Sequence, residues 1–181
     1  AITRQLVSDM PLCTFLSGGL DSSIITKFAS DYCEKQGLPP LDTYSIDYVD
    51  NDKNFVKSDF QPNSDGFYID LMNNNLHTNH HKIVIDTPEL ADALEDAMIA
   101  RDMPGMADID SSLLLFCKNV KKQMTVALTG ECADEIFGGY PWFFREDALK
   151  SNTFPWSISL TERQKLLNPY IGNKINLKEY I

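Results

Sequence analysis

The chain has 181 residues, 43% of them hydrophobic, and a formal net charge of −10. That length holds one well-buried α/β domain and is short for two; no apolar run is long enough to cross a bilayer, and the basic stripe that a nucleic-acid partner calls for is missing. The four cysteines, Cys13, Cys33, Cys117 and Cys132, stand singly with no C-x-x-C pair, which reads as reduced thiols of an intracellular, cytoplasmic protein and not as a disulfide framework or a zinc site.

In chain order, Ile2 to Met10 is predicted as the last turns of a helix stopped by Pro11. A sequence opening inside a helix is expected to be a fragment of something longer, and its charged first residues do not form a signal peptide. Leu12 to Ser23 reads L-C-T-F-L-S-G-G-L-D-S-S: a buried strand, a Gly18-Gly19 turn that lets the backbone approach a ligand, and the start of a helix predicted over Asp21 to Gln36. The amide hydrogens and positive dipole end of that helix favour an anion. Ser17, Ser22 and Ser23 add hydroxyls that suit a diphosphate. Asp21 would repel phosphates unless a divalent cation such as Mg²⁺ takes oxygens from both. An ordinary strand-to-helix turn with Asp21 or Ser22 as N-cap is the plainer alternative. Neither G-x-x-x-x-G-K-[ST] nor G-x-G-x-x-G is present, so Walker-type and dinucleotide-binding loops are not indicated.

Ile24, Ile25, Phe28 and Ala29 are the expected buried stripe of this first helix, which Gly37-Leu38-Pro39-Pro40 ends. Leu41 to Tyr48 is predicted as the next strand from its β-branched and aromatic residues. Asp50 to Gly66, rich in Asn, Asp, Ser and Pro, reads as a long surface loop. A helix follows over Phe67 to Leu76, then a strand over His80 to Ile85. His80 and His81 point to opposite faces of that strand, poor geometry for a shared metal. Thr87-Pro88-Glu89 opens a helix to about Ala100, with Thr87 as N-cap. Asp102 to Asp108 is expected as a loop, Asp110-Ser111-Ser112 as the cap of a helix to Lys122, and Met124 to Leu128 as a short strand. Strands and helices alternating at this spacing predict an α/β fold, a parallel sheet with helices on both faces and ligands at the carboxyl ends of its strands.

Thr129 to Tyr140 reads T-G-E-C-A-D-E-I-F-G-G-Y and follows the last strand directly, so it is expected at the same edge as the phosphate loop. Glu131, Asp134 and Glu135 lie within five residues. Acidic loops are commonly just solvated, but negative charge facing a diphosphate needs metal ions or protons between them. The expectation is that Asp21 and Asp134 share Mg²⁺ on the phosphates of the bound ligand while Glu131 handles protons or positions the attacking group.

S-G-G-L-D-S-S resembles the pyrophosphate loop of the ATP pyrophosphatases, whose fold is the adenine nucleotide alpha hydrolase-like (PP-loop) type and whose members cleave ATP to AMP and pyrophosphate. Together with G-E-x-x-D-E-[IV]-F-G-G-Y it resembles the synthetase domain of glutamine-hydrolysing asparagine synthetases and their β-lactam-forming relatives. The likeness extends from the opening helix to about Trp142. It implies that Leu16, Ser17, Gly18, Gly19, Asp21, Ser22 and Ser23 bind ATP and pyrophosphate, that Ile46 meets the adenine, that Thr129 and Gly130 lie near the ribose and phosphates, and that Glu131 and Asp134 are the catalytic acids. The implied reaction forms β-aspartyl-AMP and pyrophosphate from aspartate and ATP; ammonia then gives asparagine and AMP. Residues 1–142 are expected to form the PP-loop domain and 143–181 a partial C-terminal extension.

Thr129 replaces the family's usual serine, keeping the hydroxyl. The family's L-E-x-R-x-P-F-L-D segment and later lysine are not read before Ile181, and the residues from Ala1 to the loop are not expected to form a Cys-initiated glutaminase domain. Ammonia is therefore expected from such a domain of a full-length parent or from a separate source, and turnover by this fragment alone is not expected. No nucleic-acid or membrane partner is expected. A β-lactam-forming synthetase and a nucleotide-binding module without catalysis are the competing readings; amidation of aspartate with ammonium separates the first, and ATP binding without pyrophosphate exchange marks the second.

Overall fold

The computed structural model describes residues 1–57, 63–154, 157–172, 174–175 and 177–180, which fall into two compact units, Ala1–Gly130 and Glu131–Ile181. The first carries a 3-10 turn Ile2–Leu6, β1 (Leu12–Phe15), α1 (Leu20–Lys35), β2 (Leu41–Tyr48), α2 (Asn51–Asn54), α3 (Asp65–Asn75), β3 (Thr78–Ile85), α4 (Thr87–Asp92), α5 (Leu94–Arg101), α6 (Ala107–Val120) and β4 (Val126–Leu128). The second is helical: α7 (Ala133–Phe137), a 3-10 turn Pro141–Phe143, α8 (Glu146–Leu149), α9 (Leu160–Leu166), α10 (Pro169–Gly172) and α11 (Leu177–Tyr180). Among the described residues no helix is long and apolar enough to cross a membrane.

The four strands form one parallel sheet in the order β3-β2-β1-β4. The chain steps outward from β1 to β3 and then returns to the other side of β1, so the order reverses between β1 and β4. In an open α/β sheet that reversal parts the loops at the carboxyl ends and leaves a crevice for a ligand. Successive strand residues face opposite ways, and the two faces differ in chemistry. On one, Cys13 and Tyr44 pack with Phe116 and Val120 of α6, and Phe15 meets the edge of Phe116 at 4.8 Å between ring centres. On the other, Thr14 of β1 meets α1 through its hydroxyl, 3.0 Å from that of Thr26.

That second face corrects the expected stripe of α1. Ser22, Thr26, Ala29 and Ser30 are its buried residues, whereas Ile24 is 41% and Phe28 54% exposed. The strands beneath present Thr14, Thr43 and Ser45, all buried, and a buried hydroxyl needs a polar partner more than an apolar one. Elsewhere the boundaries shift for local reasons. Asp86, not Thr87, caps α4: its carboxylate accepts from Thr87 N at 2.7 Å while Glu89 accepts from Asp86 N at 2.9 Å. Asp110 lies inside α6, not at its cap, because its carboxylate bonds Arg101 Nη1 at 2.7 Å and ties the end of α5 to α6. The expected loop over Asp50 to Gly66 contains α2 and the start of α3, and residues 58–62 lie outside the described ones.

Candidate functional site

The loop between β1 and α1 is built from its own side chains. Leu16 N continues the sheet by donating to Tyr44 O at 2.8 Å, and the Leu16 side chain is 1% exposed. The Ser22 hydroxyl accepts from Ser17 N at 3.2 Å, lies 3.0 Å from the Ser17 hydroxyl and donates to Gly19 O at 3.1 Å. Ser17 and Ser22 thus brace the turn across its neck. Gly18 has a φ of +80°, and a Cβ there would come 2.7 Å from Asp65 O and 3.2 Å from Tyr68 Cβ; only glycine combines that backbone with that proximity to α3. Gly19 is the N-cap of α1 and offers no side-chain cap, so the positive end of a 16-residue helix is left for an external acceptor.

The tip of β4 comes to the same place. A Cβ on Gly130 would lie 3.1 Å from Asp21 Cβ and 3.2 Å from Ser22 N, so the backbone after β4 rests on the first turn of α1. The loop Leu16 to Ser23 and the segment Thr129–Gly130 therefore come together at the reversal of strand order. Ile46 stands one strand over, on β2, packed against the Cys13, Tyr44, Phe116 and Val120 cluster. A cavity of about 380 Å³ against α6 and β4, lined by Phe15, Leu114, Met124 and Ala127 among others, includes none of these candidates.

In the second unit, α7 is a single turn between two left-handed residues, Cys132 (φ 68°) and Gly138 (φ 70°). Gly138 N and Gly139 N both donate to Asp134 O, at 2.9 and 3.0 Å. The Tyr140 hydroxyl donates to Glu135 Oε1 at 3.0 Å, and its ring stacks on Trp142 at 4.3 Å. That bond to Glu135 holds the Tyr140 hydroxyl above the usual tyrosine range, with limited desolvation and the negative charges of Glu135, Asp134 and Glu131 acting in the same direction.

The asparagine synthase family matches this sequence over residues 1–181. The chain belongs to the asparagine synthase family. It is 58% identical over 181 residues to the glutamine-hydrolyzing asparagine synthetase 3 of Bacillus subtilis (strain 168), covering all of this chain and 29% of that relative. It is 31% identical over 177 residues to the amidase chyE of Penicillium rubens, covering 92% of this chain and 25% of the relative, and 27% identical over 157 residues to the asparagine synthetase B of Escherichia coli (strain K12), covering 80% and 26%. The chain thus spans under a third of the length of these relatives.

His80 and His81 lie on opposite faces of β3, as their spacing predicts. His80 is bracketed by hydroxyls, Nδ1 2.9 Å from Thr43 Oγ1 and Nε2 2.9 Å from Ser45 Oγ; burial, then the neighbouring His81, push its pKa below the ordinary value. His81 Nε2 lies 2.8 Å from Asp42 Oδ1 and its ring stacks on Tyr44 at 4.6 Å. Among the described residues no three His, Cys, Asp or Glu side chains gather as a metal cage. Sequence reasoning missed the contact of α3 with Gly18 and the tie between Tyr140 and Glu135. The first joins residues far apart in sequence, and the second had its partners inside a motif already quoted.

Proposed function

We propose that this chain is the ATP-consuming part of an asparagine synthetase, adenylating the side-chain carboxylate of aspartate for attack by ammonia. The observation that carries it is the meeting of Gly130 with Asp21 and Ser22 at the sheet's switch point, in a chain that belongs to the asparagine synthase family. The amide of Gly18 and the uncapped end of α1 would cradle the pyrophosphate, with Ser17 and Ser22 keeping the loop in shape and Gly19 and Ser23 beside them. Leu16 and Ile46 would border the adenosine, with Thr129 and Gly130 at the ribose and phosphates.

An aspartate carboxylate oxygen attacks the α-phosphorus of ATP; the α–β bridging bond breaks and pyrophosphate leaves. Ammonia then adds to the acyl carbon of β-aspartyl-AMP, AMP leaves with the C–O bonding pair, and the amide of asparagine remains. By motif and family alone, Asp21 and Asp134 are each proposed as carboxylates for Mg²⁺, which neutralises phosphate charge when bound. Glu131 would take the proton released by the attacking nitrogen or orient that nitrogen. For Glu131 and Asp134 the support is the motif and the family. The ammonia would come from a glutaminase domain of the longer protein or from a separate source. Four unpaired cysteines fit a reducing, cytoplasmic setting.

The test is aspartate-dependent exchange of labelled pyrophosphate into ATP by the full-length enzyme carrying this chain. Exchange is expected with aspartate and Mg²⁺ present, and Asp134→Asn is expected to lower it roughly a hundredfold or more. Nucleotide binding with no exchange under any carboxylate would remove the proposal.

A further inference from the structure

The acidic motif places two carboxylates side by side, Asp134 and Glu135, and the structure gives them different neighbours. Two glycines follow, and they are needed for different reasons. Gly138 has a positive φ of 70° and turns the chain out of α7. Gly139 does not share that backbone, since Gly18, Gly37 and Gly138 are the glycines with positive φ among the described residues. What Gly139 lacks is room: a Cβ there would overlap Asp134 Oδ1 and come 2.9 Å from Asp134 Cγ, while the nearest backbone atom among these neighbours, Asp134 Cα, is 3.4 Å away. Alanine would be admitted by the main chain and opposed by one carboxylate. Tyr140 then reaches back to Glu135 Oε1 at 3.0 Å. Its ring is fixed by stacking on Trp142 at 4.3 Å and 22° between planes.

We propose that Gly139 and Tyr140 are positioning residues for the acidic motif: Gly139 leaves the space in which the Asp134 carboxylate rests, and the Tyr140 hydroxyl draws Glu135 aside. Adjacent side chains on a helix leave it in different directions, and contacts at each one can hold the two carboxylates apart. A neutral hydroxyl donor on Glu135 and an open backbone beside Asp134 do so without spending a positive charge. The inference rests on the reading of Asp134 as a functional acid and extends it to two residues with no contact to substrate of their own.

The experiment uses the full-length enzyme and the aspartate-dependent pyrophosphate exchange described above. Gly139→Ala and Tyr140→Phe are each expected to lower kcat/KM for ATP roughly ten- to a hundredfold, the scale of a displaced functional group. Tyr140→Phe keeps the aromatic stack, so a residue needed only for packing would lose nothing. Tyr140→Phe combined with Glu135→Ala is expected to lose no more than the worse single variant, because each removes the same hydrogen bond. Gly139→Ala is expected to cost thermal stability in the wild-type background and none in an Asp134→Ala background, where the opposing carboxylate is gone.

Wild-type exchange in Gly139→Ala and Tyr140→Phe, alongside loss in Asp134→Asn, would overturn the inference and leave the function standing. Fully additive losses in the Tyr140 and Glu135 pair would overturn the tether. Undiminished exchange in Asp134→Asn would overturn the reading of that acid, and the inference with it.

Discussion

At the scale of single residues, the candidate site depends on atoms that are missing. Gly18 combines a φ of +80° with a would-be Cβ contact of 2.7 Å to a main-chain oxygen, which cannot swing away as a side chain would. Gly18→Ala is therefore expected to cost about 1–3 kcal/mol of stability and to abolish nucleotide binding, measured by thermal denaturation and calorimetry on the same sample. Retained stability with retained binding would mean that α3 moves freely off the loop. Hydroxyls matter as much. Thr26 Oγ1 lies 3.0 Å from Thr14 Oγ1 and both residues are fully buried, so Thr26→Val leaves one polar atom in the interior without its partner. The expected loss is about 1–3 kcal/mol in denaturant unfolding, against little loss for Lys27→Ala on the exposed side of the same helix, where the ion pair with Asp31 at 2.5 Å is exposed to water.

At the scale of elements, the sheet has a polar face and an apolar one, and the polar face holds a titrating group. His80 sits between the Thr43 and Ser45 hydroxyls, with Asp70, His81 and Lys82 the charged groups acting on it. Its folded pKa lies below the ordinary 6.5, chiefly through burial. On acidification the unfolded chain takes up this proton first, so the stability that neutral His80 supports is complete above 6.5 and falls as the pH drops below it, levelling once the folded form is protonated as well. Thermal midpoints measured from pH 7 to pH 5 are expected to decline more steeply in wild type than in His80→Gln; parallel declines would assign the acid sensitivity to other groups.

The same polar face explains where sequence reading succeeded and where it stopped. Hydrophobic strands bounded by turn residues made β1, β2, β3 and β4 legible, and the glycines after β1 marked the loop because no other residue type explains a turn so tight. Helical periodicity alone assigned Ile24 and Phe28 to the interior of the sheet. It had no knowledge of Thr14, Thr43 and Ser45 across the contact, and those hydroxyls decided which side of α1 faces inward. Helix ends moved by a few residues for a similar reason: Asp86 and Asp110 could each serve as a cap or a tie, and the choice depends on whether Glu89 or Arg101 is within reach.

At the scale of the whole molecule, the first unit gathers Leu16 to Ser23 with Thr129 and Gly130 through topology. β1 and β4 are neighbours with register Leu12↔Val126 and Thr14↔Leu128, although more than a hundred positions separate them in the sequence. Sequence patterning places both motifs after strands; only the strand order β3-β2-β1-β4 makes those strands adjacent and puts the chain's reversal between them. The proposed adenylation says what that meeting point would hold.

The most direct measurement is the affinity of the full-length enzyme for ATP with Mg²⁺, by calorimetric titration, in wild type and in Gly130→Ala. The added methyl meets Asp21 Cβ at 3.1 Å and Ser22 N at 3.2 Å, so the first turn of α1 must give by a few tenths of an ångström. With the triphosphate bound in that crevice, the variant is expected to bind at least roughly tenfold more weakly, about 1.4 kcal/mol, while its thermal midpoint stays close to wild type. Equal affinity in the two proteins would place the nucleotide somewhere other than the crevice between β1 and β4.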